Sequence, residues 1–240
     1  MGKTVAIVLA GGRGKRMGSD RPKQYLELNG KPILYYTLRA FEESYVDEVI
    51  LVTPQGDGED GISYARDEVV NKWGLLKVRT IVCGGKERYH SVYAGLKAAS
   101  ESGGAEFVLI HDGARPFVSQ EIFERIRLSL ESGQKACVAA VPVTDTIKVV
   151  NDEGIVVDTP NRSTLWSMQT PQAFTFDLVW QAYSELIVKE NALLEKGVQI
   201  TDDAMVVEQF TQVPVRVVEG SYENFKVTTP EDLERARLKK

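Results

Sequence analysis

Short, uninterrupted apolar runs recur along this chain with amphipathic segments between them, and that rhythm restricts the fold more than any other feature. Val5–Leu9, Glu48–Thr53, Val78–Val82, Phe107–Ile110 and Ala136–Val141 are rich in β-branched and aliphatic residues. Such runs mark strands buried on both faces. Ile33–Phe41, Ile62–Trp73, Arg88–Ala99 and Gln120–Leu130 between them read as helices. Pro32 suits the first turn of one, and Tyr89, Val92, Tyr93, Leu96 and Ala99 form a helical stripe on another. Strands alternating with helices imply a mainly parallel sheet covered on both faces. The rhythm then changes. Thr146–Val150 and Gly154–Asp158 flank the turn Asn151-Asp152-Glu153-Gly154 and read as an antiparallel hairpin projecting from the sheet. Asp177–Leu194 returns to helix, Val213–Val218 to strand and Pro230–Leu238 to a final helix. The expected organisation is a single α/β domain over residues 1–240, with an arm at about 142–165.

Composition closes off several functions. At 240 residues the chain buries a large core without staples. A net charge of -5 argues against an extended nucleic-acid surface and an electrostatic membrane binder, but not against a local basic pocket. Cys83 and Cys137 are the only cysteines, and His90 and His111 the only histidines. They supply neither a disulfide framework nor a histidine-ligated metal centre, and both thiols fall in apolar runs that suit core packing. No apolar run reaches the length of a membrane span, and MGKTVAIVLAGG lacks the longer apolar region of a signal peptide. The expectation is a soluble, cytoplasmic protein with no nucleic-acid or membrane partner.

The local basic pocket has an obvious place. After the first strand comes Leu9-Ala10-Gly11-Gly12-Arg13-Gly14-Lys15-Arg16-Met17-Gly18. Between Arg13 and Lys23 lie Arg13, Lys15, Arg16, Arg21 and Lys23 against one acid, Asp20. Glycines let backbone N–H groups close around a phosphate, and the bases supply counter-charge. Two familiar loops do not fit. Met17 stands where a dinucleotide fingerprint needs its third glycine, and Arg16 stands where a P-loop needs Ser or Thr.

The run L-A-G-G-x-G-x-R-M, with Pro22-Lys23-Gln24 after it, resembles the nucleotidyltransferase signature of the sugar-nucleotide pyrophosphorylase superfamily. Five further segments follow in order: Gly84–Val92 (GGKERYHSV), His111–Pro116 (HDGARP), Gln169–Phe174 (QTPQAF), Thr201–Ala204 (TDDA) and Asn224–Thr228 (NFKVT). Together they resemble the 2-C-methyl-D-erythritol 4-phosphate cytidylyltransferase family over nearly the whole chain. The resemblance implies a three-layer α/β/α, Rossmann-like nucleotidyltransferase fold with a mainly parallel central sheet and a projecting β-hairpin arm. It also implies a reaction in which CTP and methylerythritol phosphate give the CDP-alcohol and pyrophosphate.

That reaction asks for charge rather than for a base. A phosphate monoester has a second pKa of about 6 and is already anionic at neutral pH. Positioning and electrostatic stabilisation should dominate. By resemblance, Arg16, Lys23, Arg162 and Lys226 form the catalytic set, with Arg16 and Lys23 on the reacting phosphates. Ala10, Gly11, Gly12 and Gly14 hold the nucleotide. Gly85, Arg88 and Ser91 lie at the turn that reads the cytosine. Asp112, at the carboxyl end of a buried strand where open α/β sheets bind ligands, suits Mg²⁺ or another divalent cation beside the triphosphate, and substrate hydroxyls; Arg115, three positions on, pairs with Asp112 or contacts the substrate. Thr146, Arg162 and Lys226 match phosphate-binding positions for the second substrate; Thr170 and Thr201 match positions near its polyol. In the family the arm clasps a second subunit and delivers Thr146 and Arg162 into the neighbour's site, implying a homodimer. Gly113 replaces the alanine common in the family's H-D-A-A-R-P, a change expected to preserve the site and loosen the loop.

Other readings fit the sequence less well. Ribitol 5-phosphate cytidylyltransferases carry similar motifs, but Arg162–Trp166 (RSTLW) and Thr201–Ala204 lean toward methylerythritol phosphate. A hexose-phosphate nucleotidyltransferase usually needs a longer chain. The missing third glycine disfavours a dinucleotide-dependent oxidoreductase. Retention of Arg16 and Lys23 disfavours a regulatory module without catalysis.

Overall fold

A computed structural model describes residues 2–11 and 22–239. The chain begins with β1 (Thr4–Leu9), a small hairpin of β2 (Glu27–Leu28) and β3 (Lys31–Pro32), α1 (Ile33–Glu42) and β4 (Glu48–Thr53). Next come α2 (Gly58–Tyr64), which runs into a wider π-type segment (Ala65–Asn71), then β5 (Val78–Cys83) and α3 (Arg88–Glu101). β6 (Phe107–Asp112), α4 (Gln120–Glu131) and β7 (Ala136–Pro142) follow. The arm carries β8 (Val149–Val150) and β9 (Val156–Asp158). The chain returns through β10 (Trp166–Thr175), α5 (Phe176–Glu195), α6 (Asp203–Phe210), β11 (Arg216–Glu219) and α7 (Pro230–Arg237).

Among the described residues, seven strands form one sheet in the order β11-β7-β10-β6-β1-β4-β5. β10 runs antiparallel to both its neighbours, and the other pairings are parallel. Alternate residues of each strand enter opposite layers. Ala6, Val8, Leu51 and Leu109 pack against α1 and α4. Val5, Ile7, Ile50 and Ile110 pack against α3, α5 and α6. The two layers explain why the strand runs are continuously apolar rather than alternating.

The structure departs from the sequence pattern in several places. β10 was not anticipated, because Gln169, Thr170, Pro171 and Gln172 break the apolar pattern inside it. Proline lacks a ladder donor, and the β10–β7 register shifts between Met168 and Gln172, around that proline. α6 carries no strong stripe of its own and was not anticipated either. β6 continues through His111 and Asp112 instead of ending before them. The helix expected from Ile62 begins at Gly58, and the strand expected from Val213 begins at Arg216. The arm's ladder is shorter than expected, at two and three residues a side.

The sheet positions the site. From β1 the chain steps outward to β4 and β5, then crosses back to β6 on the other side of β1. Such a reversal opens a crevice at the carboxyl ends of the strands. Leu9 of β1 and Asp112 of β6 are register partners there.

Candidate functional site

A cavity of about 580 Å³ occupies this crevice. Its wall includes Gly11, Lys23, Gly85, Arg88, Ser91, Asp112 and Lys226, which were singled out from sequence. It also includes Gln24, Gln55, Lys86 and Glu87. Ala10 lies just behind, buried, with its N–H donating to Val52 O at 2.8 Å and its carbonyl accepting from the Gln24 amide. Gln24 therefore holds the root of the glycine loop. Gly12, Gly14 and Arg16 lie outside the described residues, as do Arg13 and Lys15.

One wall is the turn between β5 and α3. Gly84 and Gly85 are demanded by close approach. A Cβ on Gly84 would lie 2.8 Å from Thr53 O, and one on Gly85 only 2.3 Å from the His90 Cβ. The Gly85 N–H donates to the Ser91 hydroxyl at 3.1 Å, and that hydroxyl donates to Glu87 O at 3.3 Å. Glu87 and His90 close a reciprocal capping box on α3. The N-terminal end of α3, where backbone N–H dipoles favour anions, thus faces the cavity.

The opposite wall concentrates charge around Asp112. Its Oδ2 lies 2.9 Å from Lys226 Nζ and 3.5 Å from Arg115 Nε, and its Oδ1 lies 3.5 Å from Arg88 Nε. Burial would raise the Asp112 pKa. The three cations outweigh it and hold the carboxyl well below the usual carboxylate range. Arg88 is bound more firmly on its far side, where both terminal nitrogens reach Asp203 at 2.7 Å. Burial alone would lower the Arg88 pKa; Asp203 and Asp112 hold it well above normal. Lys23 Nζ donates to Val227 O at 3.0 Å.

Behind Asp112 runs a buried relay. The Asp112 N–H donates to the Thr170 hydroxyl at 3.1 Å, and that hydroxyl donates to His111 Nδ1 at 3.0 Å. His111 Nε2 donates to Arg115 O at 3.2 Å. Each group finds one partner of opposite role only if the imidazole is neutral. Burial pushes its pKa down to about 4, consistent with that tautomer. Gly113 extends the same support. Its N–H donates to Leu9 O at 2.8 Å, and its carbonyl accepts from Thr37 at 2.9 Å. The loop is pinned to β1, contrary to the expected loosening.

The remaining sequence-derived residues fall into three places. Arg115 backs Asp112, and its Nη1 donates to Asn224 O at 2.8 Å. Thr170 is buried in the relay, and Thr201 is exposed beside α6 with its hydroxyl toward Met205 Sδ. Thr146 and Arg162 lie on the exposed arm, away from this cavity's wall, where Arg162 Nη1 donates to Thr144 O at 2.9 Å. Sequence reasoning assigned no role to Asp203, Gln172 or Asn224, although all three stood inside quoted motifs. Asn224 is fully buried and ties the Lys226 segment to Thr170 O at 2.9 Å. The available signal was polarity inside stretches that also carry apolar residues.

An acidic molecule that gathers Lys23, Arg88 and Lys226 at the strand-order switch of a doubly covered sheet is of the nucleotide-phosphate-binding α/β class. Comparison with known proteins narrows the class. The family model described as "IspD: 2-C-methyl-D-erythritol 4-phosphate cytidylyltransferase" matches residues 4–239, and the chain belongs to that family. A relative of that name from Lachnospira eligens is 50% identical over 234 residues, covering 97% of each chain. Another from Clostridium botulinum is 51% identical over 230 residues, covering 95% of each. The solved 4-diphosphocytidyl-2C-methyl-D-erythritol synthase of Anaerococcus prevotii superposes with a TM-score of 0.81 at 35% identity, covering 98% of this chain and 94% of that one. The cytidylyltransferase of Thermus thermophilus does so with a TM-score of 0.70 at 28% identity, covering 96% of both.

Proposed function

We propose that this chain transfers the cytidylyl group from CTP to 2-C-methyl-D-erythritol 4-phosphate, releasing pyrophosphate. The observation that carries the reading is the convergence of Lys23, Lys226, Asp112 and the Gly85–Ser91 turn on one cavity of about 580 Å³. The volume and chemistry suit a nucleotide with a second anion beside it. The acceptor phosphate attacks the α-phosphate of CTP in line, and pyrophosphate leaves. Both reactants are anions, so the cations do the work. Arg16 and Lys23 stabilise the reacting and departing phosphates, and Lys226 draws the acceptor phosphate in. Lys226 already pairs with Asp112 at 2.9 Å, so the incoming phosphate shares that cation. No general base is required. His111 is neutral and engaged at both nitrogens, and His90 Nε2 faces Glu190 at 3.1 Å.

The base is read at the α3 turn, where Gly85 and Ser91 offer backbone groups and a fixed hydroxyl within reach of a flat ring. Among the described residues no three His, Cys, Asp or Glu side chains cluster as a metal cage. The single carboxylate of Asp112 instead fits a Mg²⁺ ion that arrives on the triphosphate and takes few protein ligands. The Asp112 carboxylate would hold it, and the ion would supply charge neutralisation on the phosphates.

The arm supports a homodimer with shared sites. Ile155, Val156 and Val157 are each more than half exposed on a hairpin with only a short ladder. A lone hairpin of this kind is marginal in water. A partner subunit covers it, and Thr146 and Arg162 then serve the partner's acceptor site. The enzyme works in the cytoplasm; among the described residues no helix is long and apolar enough to cross a membrane.

The test is pyrophosphate release from CTP with methylerythritol phosphate and ribitol 5-phosphate compared side by side. Turnover with methylerythritol phosphate at the higher kcat/KM supports the reading. Preference for ribitol 5-phosphate, or release without an acceptor, overturns it. Sharing is tested by mixing Arg162→Ala and Lys226→Ala subunits: verified heterodimers should regain partial activity, and none should appear if each site is built within one chain.

A further inference from the structure

Asp203 is a fully buried carboxylate that does not reach the cavity wall, yet it is among the most heavily engaged side chains near the site. Its two oxygens each take one terminal nitrogen of Arg88 at 2.7 Å, and the Tyr183 hydroxyl donates to Oδ1 as well. Its backbone is fixed too. The N–H groups of Asp203 and Ala204 donate to Gln172 Oε1 at 3.0 and 2.9 Å, which ties the first turn of α6 to the central strand β10. Asp202 completes the anchor, capping Met205 N at 3.0 Å and accepting from Gln172 Nε2 at 2.9 Å. A carboxylate this far from water is retained only with full compensation. Here the compensation aims a cation into the cavity.

We propose that Asp203 is a positioning residue for nucleotide binding, acting through Arg88. With both terminal nitrogens committed to Asp203, the guanidinium cannot turn outward to grasp phosphate as a two-pronged clamp. It presents its Nε edge to Asp112 Oδ1 at 3.5 Å and its charge to the cavity. Arg88 thus links a buried anion on α6 to the Asp112 carboxylate at the end of β6, and the geometry of Asp112 depends on a residue the ligand never touches. Without Asp203, Arg88 is free to close on Asp112 or on phosphate, and either move spoils the site. The proposal rests on the reading of this cavity as the CTP site, and goes beyond it by assigning the residue that sets the site's charge geometry.

The test is a double-mutant cycle read by CTP binding, measured by calorimetry without the acceptor, and by the KM and kcat of transfer. Asp203→Asn should weaken CTP binding about tenfold, the loss of one charge-assisted contact. In an Arg88→Gln background the same change should add less than about twofold, since residues acting through one another are not additive. Equal losses in both backgrounds overturn the proposal. Tyr183→Phe keeps the test decisive where Asp203→Asn folds poorly. It removes only one donor to Asp203, and should raise the CTP dissociation constant about threefold with Arg88 present and not with Arg88→Gln. The same shift in both backgrounds again overturns it. Because binding is read without turnover, non-additive binding supports the positioning role even if no pyrophosphate forms, an outcome that overturns the transfer reading alone. A chain that binds no CTP overturns both.

Discussion

Replacing Asp112 by Asn keeps the side chain's shape and removes the one charge on which Lys226, Arg88 and Arg115 converge. The contacts are 2.9, 3.5 and 3.5 Å. At an effective dielectric of about 20, each carries roughly 5 kcal/mol of gross attraction. Much of that is cancelled by desolvation. Lys226 is also partly open to water, and Arg88 keeps Asp203. The net cost should therefore sit near the lower end for breaking a buried pair, about 3 kcal/mol. For a chain of this size that is a melting temperature lower by roughly 6–12 °C. The Asp112 pKa is depressed in the fold. Its contribution is thus present above the ordinary carboxylate range and lost only as pH falls below it. The difference between the two proteins should accordingly be flat from about pH 5 to 8. kcat/KM should drop by about 10²-fold, as for loss of a preorganised charge. Adding Lys226→Met to Asp112→Asn should recover part of the stability and none of the activity. Scanning calorimetry and initial rates decide the matter. A melting temperature within about 1 °C of the parent, with turnover within twofold, would refute the charge-node account.

Three further outcomes follow from the same geometry. His111 is neutral in the fold with a pKa near 4 against 6.5 when unfolded, so stability is complete above pH 6.5 and is lost as pH falls toward 4. The span corresponds to about 3 kcal/mol, and urea unfolding of His111→Gln should show a flatter loss over that window; identical pH slopes would count against a buried neutral imidazole. Gly113→Ala places a Cβ 2.8 Å from Leu9 O, and should cost about 1–2 kcal/mol by overpacking, whereas a raised melting temperature would show the loop to be loose. Arg16→Ala and Lys23→Ala should each cut kcat by about 10²-fold without unfolding the protein; near-normal turnover would remove either residue from the phosphate-handling set.

Much of the layered fold was legible because buried parallel strands must be continuously apolar: β1, β4, β5 and β7 announce themselves that way. β10 did not, because the residues that make it useful, Thr170 and Gln172, are polar and bracket Pro171. Tertiary partners compensate each of them, and no local pattern shows a partner. The site divides similarly. The glycines from Gly11 to Gly18 and the bases from Arg13 to Lys23 advertise phosphate binding by composition alone, whereas the Gly84-Gly85 turn carries a role only through the resemblance. Asp203 joins Arg88 across 115 positions of sequence, and Asn224 reaches Thr170 across 54, so neither pairing is visible without the fold. Gly113 shows the opposite error. A glycine reads as slack in sequence, but here the missing Cβ lets the loop close onto Leu9 O.

The central claim is that the acceptor's own phosphate attacks CTP in a cavity that contributes charge rather than a base. The most direct test is ³¹P NMR of the reaction run with methylerythritol phosphate whose phosphate oxygens carry ¹⁸O. The label should stay on the acceptor-derived phosphorus and in the bridge of the new diphosphate, while the released pyrophosphate is unlabelled. Label in the pyrophosphate, or CTP consumed with no diphosphate-linked product, would contradict it.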